Sequence, residues 1–148
     1  MVYRNERQMY PQVREWLRRF LQNKVKDAEL IRAYDSSRVT LSNLLVREGL
    51  QQYFADEYIT YEIKVDVAGI VVKNGKGKLA LVECKLEPIN LRDLSQLLGY
   101  SVVVKPFCSV ILSPKGVTDN LVKLLTSFGR IDILQYHKGC EIALAKWD

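Results

Sequence analysis

The sequence predicts an α/β fold in which helices flank a mixed central β-sheet. Three observations support this class. An apolar stripe at helical spacing opens the chain, two apolar strand-like segments flank an Asn-Gly turn in its middle, and strand and helix patterns then alternate. Helices that alternate with strands cover both faces of a sheet, which is the arrangement of α/β domains.

Length and composition indicate a single domain. The chain has 148 residues and contains no repeat and no low-complexity segment, so we expect one domain spanning 1–148. No apolar run reaches the roughly 18 residues of a membrane span, and the charged start lacks the apolar core of a signal peptide. We therefore expect a cytoplasmic protein with no membrane partner.

The first third of the chain predicts helices. A stripe at helical spacing predicts the first helix, and Pro11 favours a start near that residue; the stripe consists of Met9, Val13, Trp16, Leu17 and Phe20. A second helical piece is predicted over 27–33, followed by a turn at 35–37. A further helix is predicted over 41–54.

The middle of the chain predicts a β-hairpin followed by a helix. A strand rich in Val, Ile and Tyr covers 59–72, and the turn signal at 74–77 joins it to a partner strand over 78–86. Asn90 is suited to cap the next helix, with Asp93 at its third position.

The last third predicts a strand, a short helix and a terminal hairpin. The apolar strand covers 108–112, and either Thr118 or Asp119 can cap the helix that follows. Two further strands, 131–136 and 141–146, predict a hairpin about a Lys-Gly turn. The sheet therefore gains strands after the central hairpin.

The inventory of metal-binding side chains excludes several classes of site. Cys84, Cys108 and Cys140 are widely spaced and odd in number, and His137 is the only histidine, so neither a disulfide framework nor a Cys/His zinc site is expected. A metal here would be held by carboxylates, which suit Mg²⁺ or Mn²⁺. The net charge of +5 permits nucleic-acid binding without demonstrating it.

Three charged residues stand out because they interrupt apolar strands. Asp66 breaks one strand, while Glu83 and Lys85 end the other and share one face of it. Folding the hairpin about Asn74-Gly75 brings Asp66 and Glu83 to the same end of the sheet, because each lies eight residues from the turn. Either Glu83 and Lys85 simply pair at the sheet edge, or the three residues form a metal and phosphate site.

These residues resemble a known nuclease signature. Asp66, followed seventeen residues later by Glu83-Cys84-Lys85, is similar to the motif of the PD-(D/E)xK superfamily, although Val65 replaces the usual proline. Gln96 and Tyr100 resemble the QxxxY helix motif of the RecB-type branch. The resemblance covers about 1–112 and implies a restriction-endonuclease-like core that hydrolyses phosphodiester bonds with Mg²⁺, or Mn²⁺ as a substitute.

The resemblance also implies roles for the site residues. Asp66, Glu83 and the backbone carbonyl of Cys84 would hold the metal, and Lys85 would act on the attacking water or on the transition-state charge. Gln96 would steady Lys85 or the phosphate, and Tyr100 would do so more loosely. The Cys84 thiol would point into the core on the other face of the strand.

The family usually adds an acidic residue from its first helix, and helical geometry separates the candidates. At about 100° per residue, Glu6 lies within about 40° of the centre of the apolar stripe, whereas Glu15 points nearly opposite. We therefore expect Glu6 to face the sheet and to be a catalytic or metal-binding residue. Glu15 is expected to face solvent beside arginines, and Glu48 is a weaker third candidate.

Binding to DNA would rest on basic residues. The candidates are Arg14, Arg18, Arg19, Lys24 and Arg92, and those on the first helix are equally well explained as a solvated face. The leading prediction is a Mg²⁺-dependent endodeoxyribonuclease, acting alone, as a homodimer or within a larger DNA-processing assembly. A non-catalytic domain that binds nucleic acid or a partner protein, and a ribonuclease, are the alternatives.

Overall fold

The computed structural model describes residues 2–148. Its helices are α1 (Tyr10–Lys24), α2 (Leu41–Arg47), α3 (Leu91–Val104) and α4 (Asp119–Leu125). Its strands are β1 (Leu30–Asp35), β2 (Val67–Lys73), β3 (Lys76–Cys84), β4 (Cys108–Ser113), β5 (Gln135–His137), β6 (Cys140–Glu141) and β7 (Ala143–Lys146). Short 3₁₀ turns cover Glu6–Met9, Gln51–Tyr53, Asp56–Thr60 and Ile131–Leu134.

The central sheet is mixed, as the sequence predicts. Its strand order is β1-β2-β3-β4-β7; β1, β2 and β3 are antiparallel neighbours, whereas β4 and β7 run parallel to β3. Strands β5 and β6 form a separate two-stranded sheet. The α/β class with helices around a mixed sheet is therefore confirmed. No helix among residues 2–148 combines the length and apolar character that crossing a bilayer requires.

The two faces of the sheet bury separate cores. Helix α1 covers one face, where its buried residues Val13, Leu17 and Leu21 pack on β2, β3 and β4. Helices α2, α3 and α4 cover the other face, where side chains such as Ile70 and Leu81 are fully buried. Because both faces are covered, β3 is apolar on both sides over Leu79–Val82 and is polar only at its two ends.

Local sequence signals set the elements next to the candidate site. Pro11 lies in the first turn of α1, where its missing N–H costs no helical hydrogen bond. Asn74 and Gly75 both have positive φ, 54° and 72°, as the turn of a two-residue hairpin requires. Asn90 and Asp93 form a reciprocal capping box at the start of α3. These three predictions are confirmed.

Two predictions in the first half are wrong. Residues 27–33 do not form a helix, because 30–35 form edge strand β1, whose backbone pairs with β2 from Leu30↔Val72 to Asp35↔Val67. The helix predicted over 41–54 ends at Arg47, because Gly49 follows in the left-handed conformation with φ of 70°. Strand pairing with β2 overrode the helical pattern in the first segment, and the backbone angle of Gly49 ended the helix in the second.

Two strand predictions also need correction. The strand predicted from residue 59 begins only at Val67, since 56–60 form a 3₁₀ turn that packs near α2. The terminal hairpin is smaller than predicted: β5 pairs with β6, while β7 leaves it and joins the central sheet beside β4. The open edge of β4 offers β7 unsatisfied backbone groups, which a sequence pattern does not reveal.

The close contact between α1 and β2 generates a stability prediction. A Cβ added at Gly69 would lie 2.6 Å from Leu21 Cδ1, 3.1 Å from Leu17 Cδ2 and 3.3 Å from Ala80 Cβ. We expect Gly69→Ala to lower the free energy of unfolding by about 1–3 kcal/mol through overpacking. Urea denaturation checks this. Gly99→Ala is the matched control: Gly99 lies within α3 with open space around it, so it should gain about 0.5–1 kcal/mol.

Candidate active centre

Asp66 and Glu83 meet at the end of the central sheet where β2 begins and β3 ends. Val67 pairs with Val82, so the next residues outward, Asp66 and Glu83, face each other across the two strands. The Asp66 backbone N–H donates a hydrogen bond of 3.2 Å to Glu83 Oε1. The predicted proximity of these two carboxylates is therefore present in the structure.

The Asp66 carboxylate is held on both oxygens. The Tyr10 hydroxyl at the start of α1 donates to Oδ1 at 2.7 Å, and the Cys84 backbone N–H donates to Oδ2 at 2.8 Å. Burial and the hydrogen bond to Asp66 raise the pKa of Tyr10, so its hydroxyl remains a donor. Each carboxylate oxygen retains a second lone pair, which leaves acceptor capacity for another ligand.

Ser36 positions the backbone that precedes β2. Its fully buried hydroxyl donates to the Val65 carbonyl at 2.6 Å, and its N–H donates to the Asp66 carbonyl at 3.1 Å. Sequence reasoning missed both Ser36 and Tyr10. Tyr10 directly follows Met9 of the predicted apolar stripe, and a tyrosine there could have suggested a buried hydroxyl needing a partner. Ser36 carried no such signal, because it lay in a stretch read as a turn.

Glu83 is the most strongly perturbed carboxylate of the cluster. Burial and the charge of Asp66 raise its pKa to about 8, although the Lys85 ammonium opposes the shift. Two carboxylates this close cannot both ionise without a compensating cation. The Asp66–Glu83 pair therefore retains a proton near neutral pH.

Lys85 is surrounded by acidic groups. Its Nζ lies 3.6 Å from Asp93 Oδ1 at the start of α3. Burial alone would lower the pKa of Lys85, but nearby carboxylates outweigh that effect and raise it, in decreasing order those of Asp93, Glu6, Glu83 and Asp66. Lys85 is therefore cationic at neutral pH. The sequence predicts Asp93 only as a capping residue. It caps α3 and also pairs with Lys85, because its Oδ2 accepts from the Asn90 N–H at 3.1 Å while its Oδ1 faces the ammonium.

Glu6 faces the site, whereas Glu15 does not. Glu6 is half-buried in the 3₁₀ turn before α1. Burial raises the pKa of its carboxyl, the Lys85 ammonium opposes this and the Asp66 charge adds to it, so Glu6 lies within electrostatic range of both residues. Glu15 instead binds Arg18 at 2.6 Å and Arg19 at 3.1 Å.

The helical-face reasoning thus selected the residue that points inward, even though Glu6 precedes the regular helix. The weaker candidate Glu48 ends α2 and pairs with Arg47 at 3.3 Å. Nothing in that pairing connects it with the carboxylate cluster.

Gln96 and Tyr100 lie on α3, three and seven residues after Asp93. Gln96 Nε2 donates to the Tyr100 hydroxyl at 3.2 Å, so the structure brings these two residues together. At about 100° per residue they lie within about 60° of the Asp93 direction, and Asp93 contacts Lys85. Within residues 2–148, however, the hydrogen-bond partner of Gln96 is Tyr100 and not Lys85.

The donor set fits a magnesium ion better than a softer metal. Within residues 2–148, no three His, Cys, Asp or Glu side chains are arranged as a ready metal cage. Mg²⁺ is commonly bound by one or two carboxylates while it keeps several waters, which matches Asp66 and Glu83. The Cys84 N–H faces Asp66, and a strand residue directs its N–H and C=O to the same side, so the Cys84 carbonyl is available there too.

The Cys84 side chain lies on the other face of β3. It is fully buried in the core beneath α1, and burial raises the pKa of its thiol. The position predicted for the thiol is confirmed. A buried thiol of raised pKa is a poor metal ligand.

The predicted DNA-contacting residues do not form one free basic surface. Arg18 and Arg19 are both paired with Glu15, and Lys24 lies 5.8 Å from the ring centroid of Phe20. Arg14 and Arg92 are exposed, and Arg92 lies at the start of α3 next to Asp93. The pairing with Glu15 partly neutralises Arg18 and Arg19, so α1 offers less free positive charge than its arginines and lysine would alone.

Comparison with known proteins gives no indication of function for this chain. No family model matches this chain, and neither does any curated protein or solved structure. What the carboxylate cluster does must therefore be inferred from its own residues.

The raised pKa of Glu83 predicts how stability depends on pH. The folded-state pKa of about 8 exceeds the ordinary value of 4.5, so the folded protein holds a proton that the unfolded chain releases. The contribution of Glu83 to stability is then greatest below about pH 4.5 and is lost as the pH rises through about 8. In EDTA, the melting temperature should fall by several degrees across this window. Glu83→Gln should remove this decline, and an equal decline in both proteins would show that Glu83 ionises normally.

Proposed function

We propose that this protein is a metal-dependent nuclease with a restriction-endonuclease-like core that hydrolyses phosphodiester bonds in DNA. The observation that carries the proposal is the convergence of Asp66, Glu83 and Lys85 at one partly buried end of the sheet. A pair of mutually repelling carboxylates beside an ammonium attracts a divalent cation and a phosphate together.

The contacts within the carboxylate cluster support a separate role for each residue. Asp66, Glu83 and the Cys84 carbonyl would hold Mg²⁺, which supplies charge neutralisation of the phosphate and a bound water of lowered pKa. Tyr10 and Ser36 keep the Asp66 segment in place. Holding the carboxylates rigidly before substrate arrives avoids reorganisation during the reaction.

The protonation state of Lys85 favours an electrostatic role. Surrounding carboxylates raise its pKa, so it is a poor proton acceptor and a permanent cation at neutral pH. It is suited to stabilise the negative charge that develops on the phosphate oxygens. Asp93 lies 3.6 Å from its ammonium and is placed to fix the direction of its side chain, while the Glu6 charge favours its protonated form. Gln96 and Tyr100 would contact the phosphate from α3.

Lys85→Ala separates a nuclease from a domain that only binds nucleic acid. Removing the charge should lower the rate of DNA cleavage in Mg²⁺ or Mn²⁺ by on the order of a hundredfold or more. Affinity for DNA should change only modestly, because it depends on many phosphate contacts. Cleavage is followed on duplex, branched and single-stranded DNA and on RNA, and binding by fluorescence anisotropy.

Lys64→Ala is the matched control, since Lys64 is exposed and lies two residues before Asp66. It should cleave at nearly the wild-type rate. Full wild-type activity in EDTA would exclude the metal-dependent mechanism. Binding without cleavage of any substrate would favour a non-catalytic domain, and preference for RNA would favour a ribonuclease.

Glu6→Gln and Glu15→Gln form a second matched pair. The first change removes a carboxylate beside Lys85 and Asp66, whereas the second removes one that pairs with surface arginines. We expect Glu6→Gln to lower kcat by at least about tenfold and Glu15→Gln to change it less than about twofold. Equal losses in steady-state cleavage assays would contradict a role for Glu6 at the site.

A further inference from the structure

The starts of helices α3 and α4 lie side by side at one end of the central sheet. Ile89, just before α3, and Val117, just before α4, form a parallel β-bridge. The Ile89 N–H donates to the Gly116 carbonyl at 2.8 Å, and the Thr118 N–H donates to the Ile89 carbonyl at 2.9 Å. Both helices follow the carboxyl ends of the parallel strands β3 and β4, so they begin at the end of the sheet that carries Glu83. Ligands of open α/β sheets commonly bind beyond this end.

A cavity of about 560 Å³ opens between these helix starts, and we call it the α3–α4 cavity. Its volume lies within the range of roughly 300–1,000 Å³ that is common for small-ligand sites. Leu91, Phe128 and two leucines of α4 form its apolar wall, while Asn90, Asn120 and Lys123 are among its polar residues. The cavity therefore offers an apolar surface next to hydrogen-bonding groups and a positive charge.

Two apolar side chains of this cavity are exposed to solvent. Phe128 is 74% exposed and Leu91 is 50% exposed. Scattered exposed apolar side chains are ordinary in soluble proteins, but these two line the same cavity. An exposed ring beside an apolar wall provides a face on which a planar group can stack.

The polar side chains of the α3–α4 cavity have capacity to bind. Asn90 accepts from the Asp93 N–H through its Oδ1 at 2.9 Å, which leaves its amide N–H groups as donors. Asn120 and Lys123 are exposed, and Lys123 forms no ion pair within residues 2–148. Amides suited to the edge of a base, an ammonium suited to a phosphate and a ring suited to the plane of a base together match the chemistry of a nucleotide.

The start of α3 also joins this cavity to the candidate active centre. The Asn90 N–H donates to Asp93 Oδ2 at 3.1 Å, and the other oxygen of that carboxylate lies 3.6 Å from the Lys85 ammonium. Leu91 and Asp93 point about 160° apart on α3, so the cavity and Lys85 lie on either side of this helix start. A helix is about 10–12 Å across with its side chains, a distance that a few nucleotides of one strand cover.

We propose that the α3–α4 cavity binds an unpaired nucleotide of the substrate, with the base stacked on Phe128 and a phosphate beside Lys123. This rests on the proposed function and deepens it: the substrate is single-stranded, or locally unpaired, a few nucleotides from the reacting bond. The bases of an intact duplex are stacked on one another, so they present no face to Phe128. Asn90 and Asn120 supply hydrogen bonds to the base edge.

Binding of single strands with and without bases tests the role of Phe128. The probes are two fluorescein-labelled oligonucleotides of about 20 nucleotides, one of thymidines and one of abasic residues with the same charge, titrated in EDTA so that no cleavage occurs. The wild type should bind the thymidine strand roughly tenfold more tightly than the abasic strand. Phe128→Leu should abolish this preference, because it keeps an apolar side chain but removes the ring, and Phe128→Trp should retain it.

Ile131→Ala is the matched control, since Ile131 is 60% exposed and does not line the α3–α4 cavity. It should leave the preference for the thymidine strand unchanged. Because Phe128 is also largely exposed, the melting temperatures of its variants should stay within about 2 °C of the wild type.

Lys123→Gln and Lys138→Gln form a second matched pair. Lys123 lines the cavity, whereas Lys138 is exposed between β5 and β6. The first change should lower the salt slope of oligonucleotide binding by about one unit, and the second should leave it unchanged. Equal changes in the two variants would contradict a phosphate contact by Lys123.

The outcomes separate this proposal from the proposed nuclease activity. A base preference that depends on Phe128 supports the nucleotide site even if the protein cleaves nothing. Equal loss of affinity for both oligonucleotides in Phe128→Leu, or no loss for either, overturns the site even if the protein cleaves DNA. Tighter binding to a duplex than to the thymidine strand also overturns it. A dimer in sedimentation velocity that Phe128→Leu dissociates, with the base preference unchanged, assigns the cavity to a second copy of the chain and overturns the proposal.

Discussion

The placement of Asp66 opposite Glu83 is the constraint on which the rest of the site depends. Two partly buried carboxylates at adjacent strand ends repel each other, and burial raises the pKa of Glu83 to about 8. Donors from three separate elements offset part of that cost: the Tyr10 hydroxyl, the Cys84 N–H and the Asp66 N–H itself. In the proposed function, a bound cation would offset the repulsion that remains.

Helix starts supply the partners of this site from both sides of the sheet. The turn before α1 brings Glu6 and Tyr10, and the capping box of α3 brings Asp93 to Lys85. Helix N-termini favour nearby negative charge, so the same termini that hold acidic side chains also favour an incoming phosphate. In the proposed function, Lys85 and these helix termini would offset the repulsion between the acidic centre and a negatively charged substrate.

The central hairpin gives the protein two ends of opposite charge. Carboxylates gather where β2 begins and β3 ends, and lysines gather at the turn between these strands. The apolar middle of both strands is buried on both faces, so the two ends are held at a fixed separation.

The sequence by itself determined the elements whose signals are local. The turn at Asn74-Gly75, the cap at Asn90 and the spacing of Asp66 and Glu83 from that turn each follow from neighbouring residues, so the hairpin and its paired carboxylates could be predicted. Tertiary structure alone decided which backbone segments found partners. It made β1 a strand and carried β7 away from its hairpin, because open sheet edges supply hydrogen bonds that local pattern does not encode. It also brought Ser36 and Tyr10 to the Asp66 segment, since contacts between residues distant in the chain depend on how whole elements pack.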